Sequence, residues 1–235
     1  MATTAGANVV SNNLIFSIDF GNAKSWDNTQ NYARNMVQQN PVNVDLIGGS
    51  GIVNSNGYLQ TTASSEYAQA GRVITPGTGP FSVGFLYRMR SQGRGGLFER
   101  SSESTTAPTF PGWSLGQGGT SSWRWGLTDS ASIKGFQAVD YTYPTLNVWY
   151  YDVGTYSGAG PTPVINAYRN GEYVGTNAIP HEFGSLDVRP RIPLLIGNRD
   201  LITGHNLDVQ LVHIYDKELS STEIKQNYDA LAHRL

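Results

Sequence analysis

The chain has 235 residues, of which 39% are hydrophobic and only 14% are charged, well below the usual share of charged residues in soluble proteins. It has no cysteine and a formal net charge of −2, which excludes disulfides and thiolate metal sites and gives no basic patch for nucleic acid. The sequence has no apolar run long enough to cross a membrane and no secretory signal at its N-terminus.

Strand patterns recur along the whole chain. Between residues 14 and 20 every second side chain is large and apolar, which predicts a half-buried strand. Residues 81–89 alternate more regularly and predict a second strand of the same kind. Residues 149–156 predict a third, with Trp149 and Tyr151 on the face opposite Asp152. These periods of two indicate strands with one face toward a core.

Turns and loops separate these strands. Asn170-Gly171 accepts the two positive φ angles of a type I′ turn, so a tight hairpin is predicted there. Stretches rich in glycine and proline at 75–80, 106–119 and 157–163 are interpreted as long surface loops.

The last forty residues combine a strand pattern with a helix pattern. Segments 194–197 and 207–215 are interpreted as a buried strand pair. Ser220 and Glu223 have the spacing of a capping box, and Ile224, Tyr228 and Leu231 follow at helical spacing. The patterns together predict an all-β, two-sheet antiparallel sandwich with a short C-terminal helix. Residues 1–12 are interpreted as an N-terminal arm and residues 13–235 as a single domain, and we expect a neighbouring subunit to hold the arm.

The C-terminal pattern of a strand, an acidic turn and a Glu-Ile helix over residues 207–228 resembles the end of laminin G-like domains. Those domains belong to the concanavalin A-like jelly-roll superfamily. Four further segments, 13–22, 80–87, 147–156 and 167–175, resemble the same domains in the same order. The first of them resembles the opening strand of such domains in bacteriophage structural proteins. The resemblance implies a jelly roll that binds other molecules.

On this basis the sequence predicts a non-enzymatic virion protein made in the host cytoplasm. The expected role is capsid decoration, in which contacts with the major capsid protein or neighbouring subunits stabilise the shell. A homo-oligomer is expected. The alternative is an adhesin of a tail or head fibre that recognises host-surface glycans.

Five aromatic residues in the middle of the chain form a candidate glycan platform. They are Trp113, Trp123, Trp125, Tyr141 and Tyr143. Trp123 and Trp125 are two residues apart and share a strand face, where they could contact a sugar or fill the space between two sheets. The adhesin interpretation requires the indoles to be exposed.

Catalysis has little support in the sequence. Glucanases of this fold carry paired carboxylates in a Glu-x-Asp-x-Glu type of motif, as the resemblance implies. The nearest acidic spacing here is Glu99 and Glu103, which we interpret as solvated loop residues. His213 lies between apolar neighbours on a strand and is interpreted as a hydrogen-bonded structural histidine.

Two polar groups leave alternatives open. Asn198, Asp200, Asn206 and Asp208 could hold Ca²⁺ through hard oxygen ligands, or could be ordinary turn residues. No cofactor other than this cation is expected. Arg88, Arg90, Arg94 and Arg100 could guard a strand edge against aggregation or bind an acidic partner.

Overall fold

The computed structural model describes residues 8–27, 29–37, 42–63, 65–71, 73, 79–92, 95–100, 112–117, 121–128, 136–158, 160–179, 193–197 and 206–235. The strands are β1 (Leu14–Asp19), β2 (Tyr32–Arg34), β3 (Asn43–Ile47), β4 (Leu59–Thr61), β5 (Tyr67–Ala70), β6 (Phe81–Met89), β7 (Gly96–Arg100), β8 (Gly112–Gln117), β9 (Ser122–Thr128), β10 (Phe136–Thr142), β11 (Trp149–Tyr156), β12 (Val164–Arg169), β13 (Glu172–Ala178), β14 (Leu194–Ile196) and β15 (Leu207–Tyr215). The helix α1 (Ser221–Leu231) follows β15, and short 3-10 turns cover Ser50–Ile52 and Ala232–Arg234. In the part of the chain that the structure describes, no helix has the length and apolar character needed to span a membrane.

The strands form two antiparallel sheets. The first sheet has the order β1-β15-β6-β11-β12-β13, with β4 also paired to β15. The second has the order β10-β9-β8-β7-β14-β5-β3-β2. Apolar side chains of both sheets meet in one core between them. The two-sheet antiparallel sandwich with a C-terminal helix that the sequence predicts is therefore confirmed.

The regular alternation of β6 sets the inner face of the first sheet. Its odd-numbered residues, from Phe81 to Met89, are buried in the core between the sheets. The even-numbered Leu86 instead belongs to a second apolar cluster on the outer face. The predicted turn between β12 and β13 is also present, with φ of 54° at Asn170 and 82° at Gly171.

Three features differ from the sequence interpretation. Strands β14 and β15 do not pair with each other: β14 lies between β7 and β5 in the second sheet, and β15 lies in the first. A bulge in β1 between Leu14 and Phe16 moves Leu14 to the outer apolar cluster, whereas Phe16 stays in the core. The segment 106–119, which the sequence interprets as a surface loop, contains strand β8, which pairs with β9 and is buried from residue 112 to residue 116.

Helix α1 packs on the outer face of the first sheet. The Ser220 hydroxyl accepts a hydrogen bond from the Glu223 amide at 3.3 Å, and the Glu223 carboxylate accepts one from the Ser220 amide at 3.0 Å. This is the predicted capping box. Ile224 and Leu231 are buried in the outer cluster, as their spacing predicts. The helix therefore closes the second, smaller core of the domain.

The segment that follows the first seven residues is part of this smaller core. The Val10 amide donates to Asn227 Oδ1 at 2.7 Å, and the Tyr215 hydroxyl donates to the Val10 carbonyl at 3.1 Å. The Val10 side chain is buried in the outer cluster. Residues 8–12 of the predicted arm thus pack on their own domain, and residues 1–7 lie outside the described part of the chain.

Candidate functional site

The three tryptophans of the predicted platform lie inside the sandwich. Trp113, Trp123 and Trp125 are each 0% exposed. The Trp125 indole donates from Nε1 to the Thr155 carbonyl across the core at 3.0 Å, and the Trp123 ring stacks on Tyr87 with 4.8 Å between centroids. Their faces are covered by protein, so they cannot stack on a sugar. The platform predicted at these three positions is wrong, and their spacing serves sheet packing instead.

The other two members of the platform are half-buried at the rim of the core. Tyr141 donates through its hydroxyl to Asp152 Oδ2 at 3.0 Å, and one face of its ring packs against the Arg169 guanidinium. Tyr143 contacts the Trp123 ring edge to face at 6.0 Å. These contacts bind both tyrosines into the packing of the core.

A buried ion pair organises that rim. Arg169 donates from Nε and Nη2 to the two carboxylate oxygens of Asp152, at 2.9 and 2.8 Å. Burial, and then the Asp152 charge, raise the pKa of Tyr87 and of Tyr141 well above the ordinary value, so both hydroxyls stay protonated. Burial alone would lower the pKa of Arg169, but its bonds to Asp152 outweigh that effect and raise it. Arg169 and the hydroxyls of Tyr87 and Tyr141 all donate hydrogen bonds to Asp152, Arg169 from two nitrogens, and this network stabilises the fold.

A different aromatic and polar group lies on the outer face of the first sheet, beyond the area that helix α1 covers. Four neighbouring strands each contribute one residue in register: Gln60 is opposite Asp208, Asp208 is opposite Arg88, and Arg88 is opposite Trp149. Residues directly opposite on one face of an antiparallel sheet are close enough for their side chains to interact. The row therefore places an amide, a carboxylate, a guanidinium and an indole side by side.

Asp208 holds the side chains of Arg88, in this row, and of the nearby Arg90 in place. Arg88 donates to Asp208 Oδ2 from Nε at 2.9 Å and from Nη2 at 2.5 Å. Arg90 Nε lies 2.8 Å from the other carboxylate oxygen, and Arg90 Nη2 donates to the Thr61 carbonyl at 2.9 Å. The Asp208 side chain is fully buried, while each arginine keeps 24% of its side chain exposed. The carboxylate is a buried anchor under two partly exposed guanidinium groups.

Two aromatic rings flank the Arg88 guanidinium. Its carbon lies 5.0 Å from the centre of the Trp149 ring and 5.4 Å from that of Tyr58. The two rings meet edge to face, with 5.6 Å between their centroids. Both aromatic residues are half-buried. We call Tyr58, Gln60, Arg88 and Trp149, anchored by Asp208, the Trp149 surface.

The apolar rim of this surface comes from the turn before β11. Leu146 is 39% exposed and Val148 is 43% exposed, which makes them two of the most exposed large hydrophobic residues described. Exposed apolar groups beside an aromatic ring and a few fixed polar groups are typical of binding sites. The combination gives the Trp149 surface both stacking area and oriented hydrogen-bonding groups.

Two of the four arginines that the sequence singles out, Arg88 and Arg90, have side chains in the described part of the chain. Strand β6 lies inside the first sheet, between β15 and β11, so Arg88 and Arg90 do not guard a sheet edge. Their acidic partner is Asp208 of the same chain. Arg94 and the side chain of Arg100 lie outside the described residues. The sequence pattern gave no signal for this pairing, because Arg88 and Asp208 are 120 positions apart.

The other polar predictions are only partly covered by the structure. Asn198, Asp200, Glu103 and the side chain of Glu99 lie outside the described residues. Asp208 is occupied by two arginines, and Asn206 donates from Nδ2 to the Ser91 hydroxyl at 3.0 Å. Within the described ranges no group of three His, Asp or Glu residues is placed to hold a metal ion. The Ca²⁺ site remains a prediction.

Solved structures with a similar fold include those of botulinum neurotoxins. The binding domain of botulinum neurotoxin DC, in complex with rat synaptotagmin II, matches with a TM-score of 0.67 and 16% identity, over 93% of this chain and 52% of that chain. The same domain in complex with SialylT matches with a TM-score of 0.66 and 17% identity, over 93% and 52% of the two chains. A structure of botulinum neurotoxin type C, described as dependent on two ganglioside molecules for cell entry, matches with a TM-score of 0.66 and 15% identity, over 93% and 51%. At these identities the likeness shows a shared fold.

The chain spans about half the length of those structures. A search of curated protein sequences finds no significant match. A family profile does match residues 56–225, which is most of the sandwich, and this segment includes the whole Trp149 surface. The chain therefore belongs to the Laminin_G_3 family of the concanavalin A-like lectin/glucanases superfamily.

Proposed function

We propose that this protein is a non-catalytic carbohydrate-binding domain and that the Trp149 surface is its glycan site. The observation that carries the proposal is the Arg88 guanidinium packed beside the rings of both Trp149 and Tyr58, which also contact each other, on the partly exposed outer face of the sheet. Further support comes from the superfamily and from similar folds in proteins described as bound to SialylT or dependent on gangliosides.

The chemistry of the surface fits a sugar. The apolar C–H face of a pyranose packs on an indole, because an aromatic side chain offers a flat apolar body with a polar edge. Arg88 binds Asp208 through Nε and Nη2, so its Nη1 can donate to a sugar hydroxyl or carboxylate. Gln60 provides an amide beside it and is itself positioned by a 3.4 Å hydrogen bond to Asp208. The site is therefore ordered before a ligand arrives, which lowers the entropic cost of binding.

A glycan array with Trp149→Ala tests this proposal. We expect the wild-type protein to bind a defined set of neutral or sialylated glycans, and the variant to lose about tenfold or more in affinity, since a central tryptophan is a typical hot spot. Tyr173→Ala is the matched control, because Tyr173 is 55% exposed on β13, away from this row. Its glycan binding should equal that of the wild type.

Thermal unfolding of both variants shows whether any loss of binding comes from a loss of folded protein. Absence of glycan binding by the wild type, or unchanged binding by a folded Trp149→Ala variant, would contradict the proposal. Arg88→Lys provides a second measurement of glycan affinity, because lysine keeps the charge but loses the pair of hydrogen bonds that the planar guanidinium donates to Asp208 Oδ2.

Attachment to a virion is a separate proposal that rests on the resemblance of residues 13–22 to the opening strand of such domains in bacteriophage structural proteins. A decoration protein and a fibre adhesin would both present this domain on the particle. The burial of Trp113, Trp123 and Trp125 removes the adhesin site that the sequence predicts, whereas the Trp149 surface offers an adhesin a different one. Immunogold electron microscopy of particles from the source distinguishes them. Label over the head supports decoration, label at a fibre or tail tip supports the adhesin, and unlabelled particles contradict both virion roles.

A further inference from the structure

A concave region separate from the Trp149 surface lies at the C-terminal end of helix α1. A cavity of about 390 Å³ lies between the outer face of β1 and β15, the segment 8–11, residues 36–37 and the end of the helix. Its volume falls within the range of small-molecule sites, roughly 300–1,000 Å³. None of its lining residues belongs to the Trp149 surface.

The floor of the cavity is polar and buried. Ser17 of β1 is opposite His213 of β15, and Asp19 is opposite Leu211. Ser17, Asp19 and His213 are each 3% exposed. His213 Nδ1 is buried and has no hydrogen-bond partner among the described residues. The prediction that this histidine is hydrogen-bonded is therefore not met at that nitrogen.

An unpartnered buried nitrogen costs free energy, because it has lost its bond to water and gained no other. Here the nitrogen belongs to a residue that lines the cavity. Nδ1 itself has almost no accessible surface, so a hydroxyl or amide group in the cavity would reach His213 at the accessible edge of its ring.

The charged groups of the floor balance each other. Arg234 donates from Nη1 to Asp19 Oδ2 at 2.8 Å, and the other carboxylate oxygen accepts the Gly21 amide at 3.0 Å. Burial, and then the Arg234 charge, lower the pKa of His213 to about 3, so the imidazole is neutral near pH 7. The floor offers hydrogen bonds without a net charge, and an ionic ligand would lose its hydration without gaining a counter-ion.

The walls are mostly apolar and come from four separate parts of the chain. Val10, Leu14, Val37, Leu211 and Leu231 line them. The wall at residues 36–37 is fixed to β1, because the Met36 amide donates to the Ser17 carbonyl at 2.9 Å and Asn35 Oδ1 accepts from the amides of Ser17 and Val37. The cavity thus has a fixed apolar lining around one polar end.

We propose that this cavity binds a small neutral molecule with an apolar body and one hydroxyl or amide group, which pairs with the accessible edge of the His213 imidazole. The site does not depend on the glycan site, since the two surfaces share no residue.

Three probes of one shape and different charge test the proposal: benzyl alcohol, benzoate and benzylammonium. Each is titrated into the full chain, and the imidazole nitrogens are followed by long-range ¹H–¹⁵N NMR. We expect benzyl alcohol to shift the His213 imidazole nitrogen resonances saturably and to bind about tenfold more tightly than either ion. The His213→Gln variant identifies the resonance.

Ala230→Trp and Val37→Trp each fill the cavity from one of two walls and should abolish the saturable shift or the binding. Thr222→Trp is the matched control, because Thr222 is exposed on the same helix and does not line this cavity. Trp149→Ala should leave benzyl alcohol binding unchanged. A failure of the glycan proposal can therefore be distinguished from a failure of this one. Absence of a saturable shift with all three probes, or binding that survives in both folded cavity-filling variants, would overturn the proposal.

Discussion

The indole of Trp125 lies directly against the backbone of Gly154 on the opposite sheet. A Cβ atom at Gly154 would be 2.2 Å from Trp125 Cδ2, a distance that no real contact has. The next residue, Thr155, accepts the hydrogen bond from the indole Nε1. The glycine leaves room for the ring, and the neighbouring carbonyl satisfies its polar edge. This complementarity explains why Trp125 is a core residue rather than part of a ligand platform.

Gly154→Ala should therefore lower the free energy of unfolding by about 2–3 kcal/mol, because the added methyl group overpacks the core. Gly160→Ala is the control, since a Cβ there would meet nothing within 4 Å. Urea unfolding of the two variants measures the difference. Equal stability of the two would show that the sheets can separate at Trp125 without cost.

Asp208→Asn should destabilise the fold and disorder the Trp149 surface together. The substitution leaves the Arg88 and Arg90 guanidinium groups without their buried counter-charge, a loss of about 3 kcal/mol. Asp140→Asn removes a similar bond to Arg124 on an exposed strand and should cost less than about 1 kcal/mol. Chemical denaturation gives both values, and a loss at Asp208 no larger than that at Asp140 would contradict the anchor role.

Removal of residues 1–10 should lower the free energy of unfolding by about 2–3 kcal/mol, through the loss of the buried Val10 side chain and its two hydrogen bonds. Removal of residues 1–7 keeps these three contacts and is the control. If a neighbouring subunit held the arm, as the sequence predicts, the longer deletion would instead leave the sandwich folded and weaken assembly. Thermal melts of the two truncated proteins decide between these expectations. Identical melting temperatures would support an arm that is held by a neighbouring subunit.

His213 should make the fold less stable in mild acid. Its pKa in the folded protein is lowered to about 3 from 6.5, so below about pH 6.5 the unfolded chain binds a proton that the folded chain does not. The stabilisation is complete above that pH and is lost as the pH falls toward 3, by about 1.4 kcal/mol per pH unit. Urea unfolding between about pH 7 and about pH 5 should show this slope in the wild type and a shallower one in His213→Gln. Equal slopes would mean that the His213 imidazole takes up its proton over the same pH range in the folded and in the unfolded protein.

Much of the fold follows from local patterns in the sequence. The alternation of β6 identifies a strand with one face in the core, because a period of two fixes which side chains share a face. Asn170-Gly171 and the Ser220 capping box are equally local, since each depends on residues no more than four positions apart. These elements are predicted correctly because the physical reason for each lies within the segment itself.

The site depends on relationships that a single segment does not contain. The spacing of Trp123 and Trp125 shows that they share a face, but the same spacing suits an inner or an outer face. The pairing of Arg88 with Asp208 requires the register of β6 against β15. The surroundings of His213 also depend on long-range packing. Its neighbours in sequence are apolar, and the cavity that it lines forms only where the end of helix α1 packs near β15. Long-range register and layer packing are therefore what the sequence patterns leave open.

The contact between the segment 8–11 and helix α1 also determines where the chain enters and leaves the domain. Gln226 donates from Nε2 to the Asn8 carbonyl at 2.7 Å, and the chain reaches residue 235 within a few turns of that bond. Residue 8 and the end of helix α1 therefore lie near each other. A connection between residue 8 and the residues after helix α1 could replace the present path, and the chain could then be opened at the Asn170-Gly171 turn without separating the sheets.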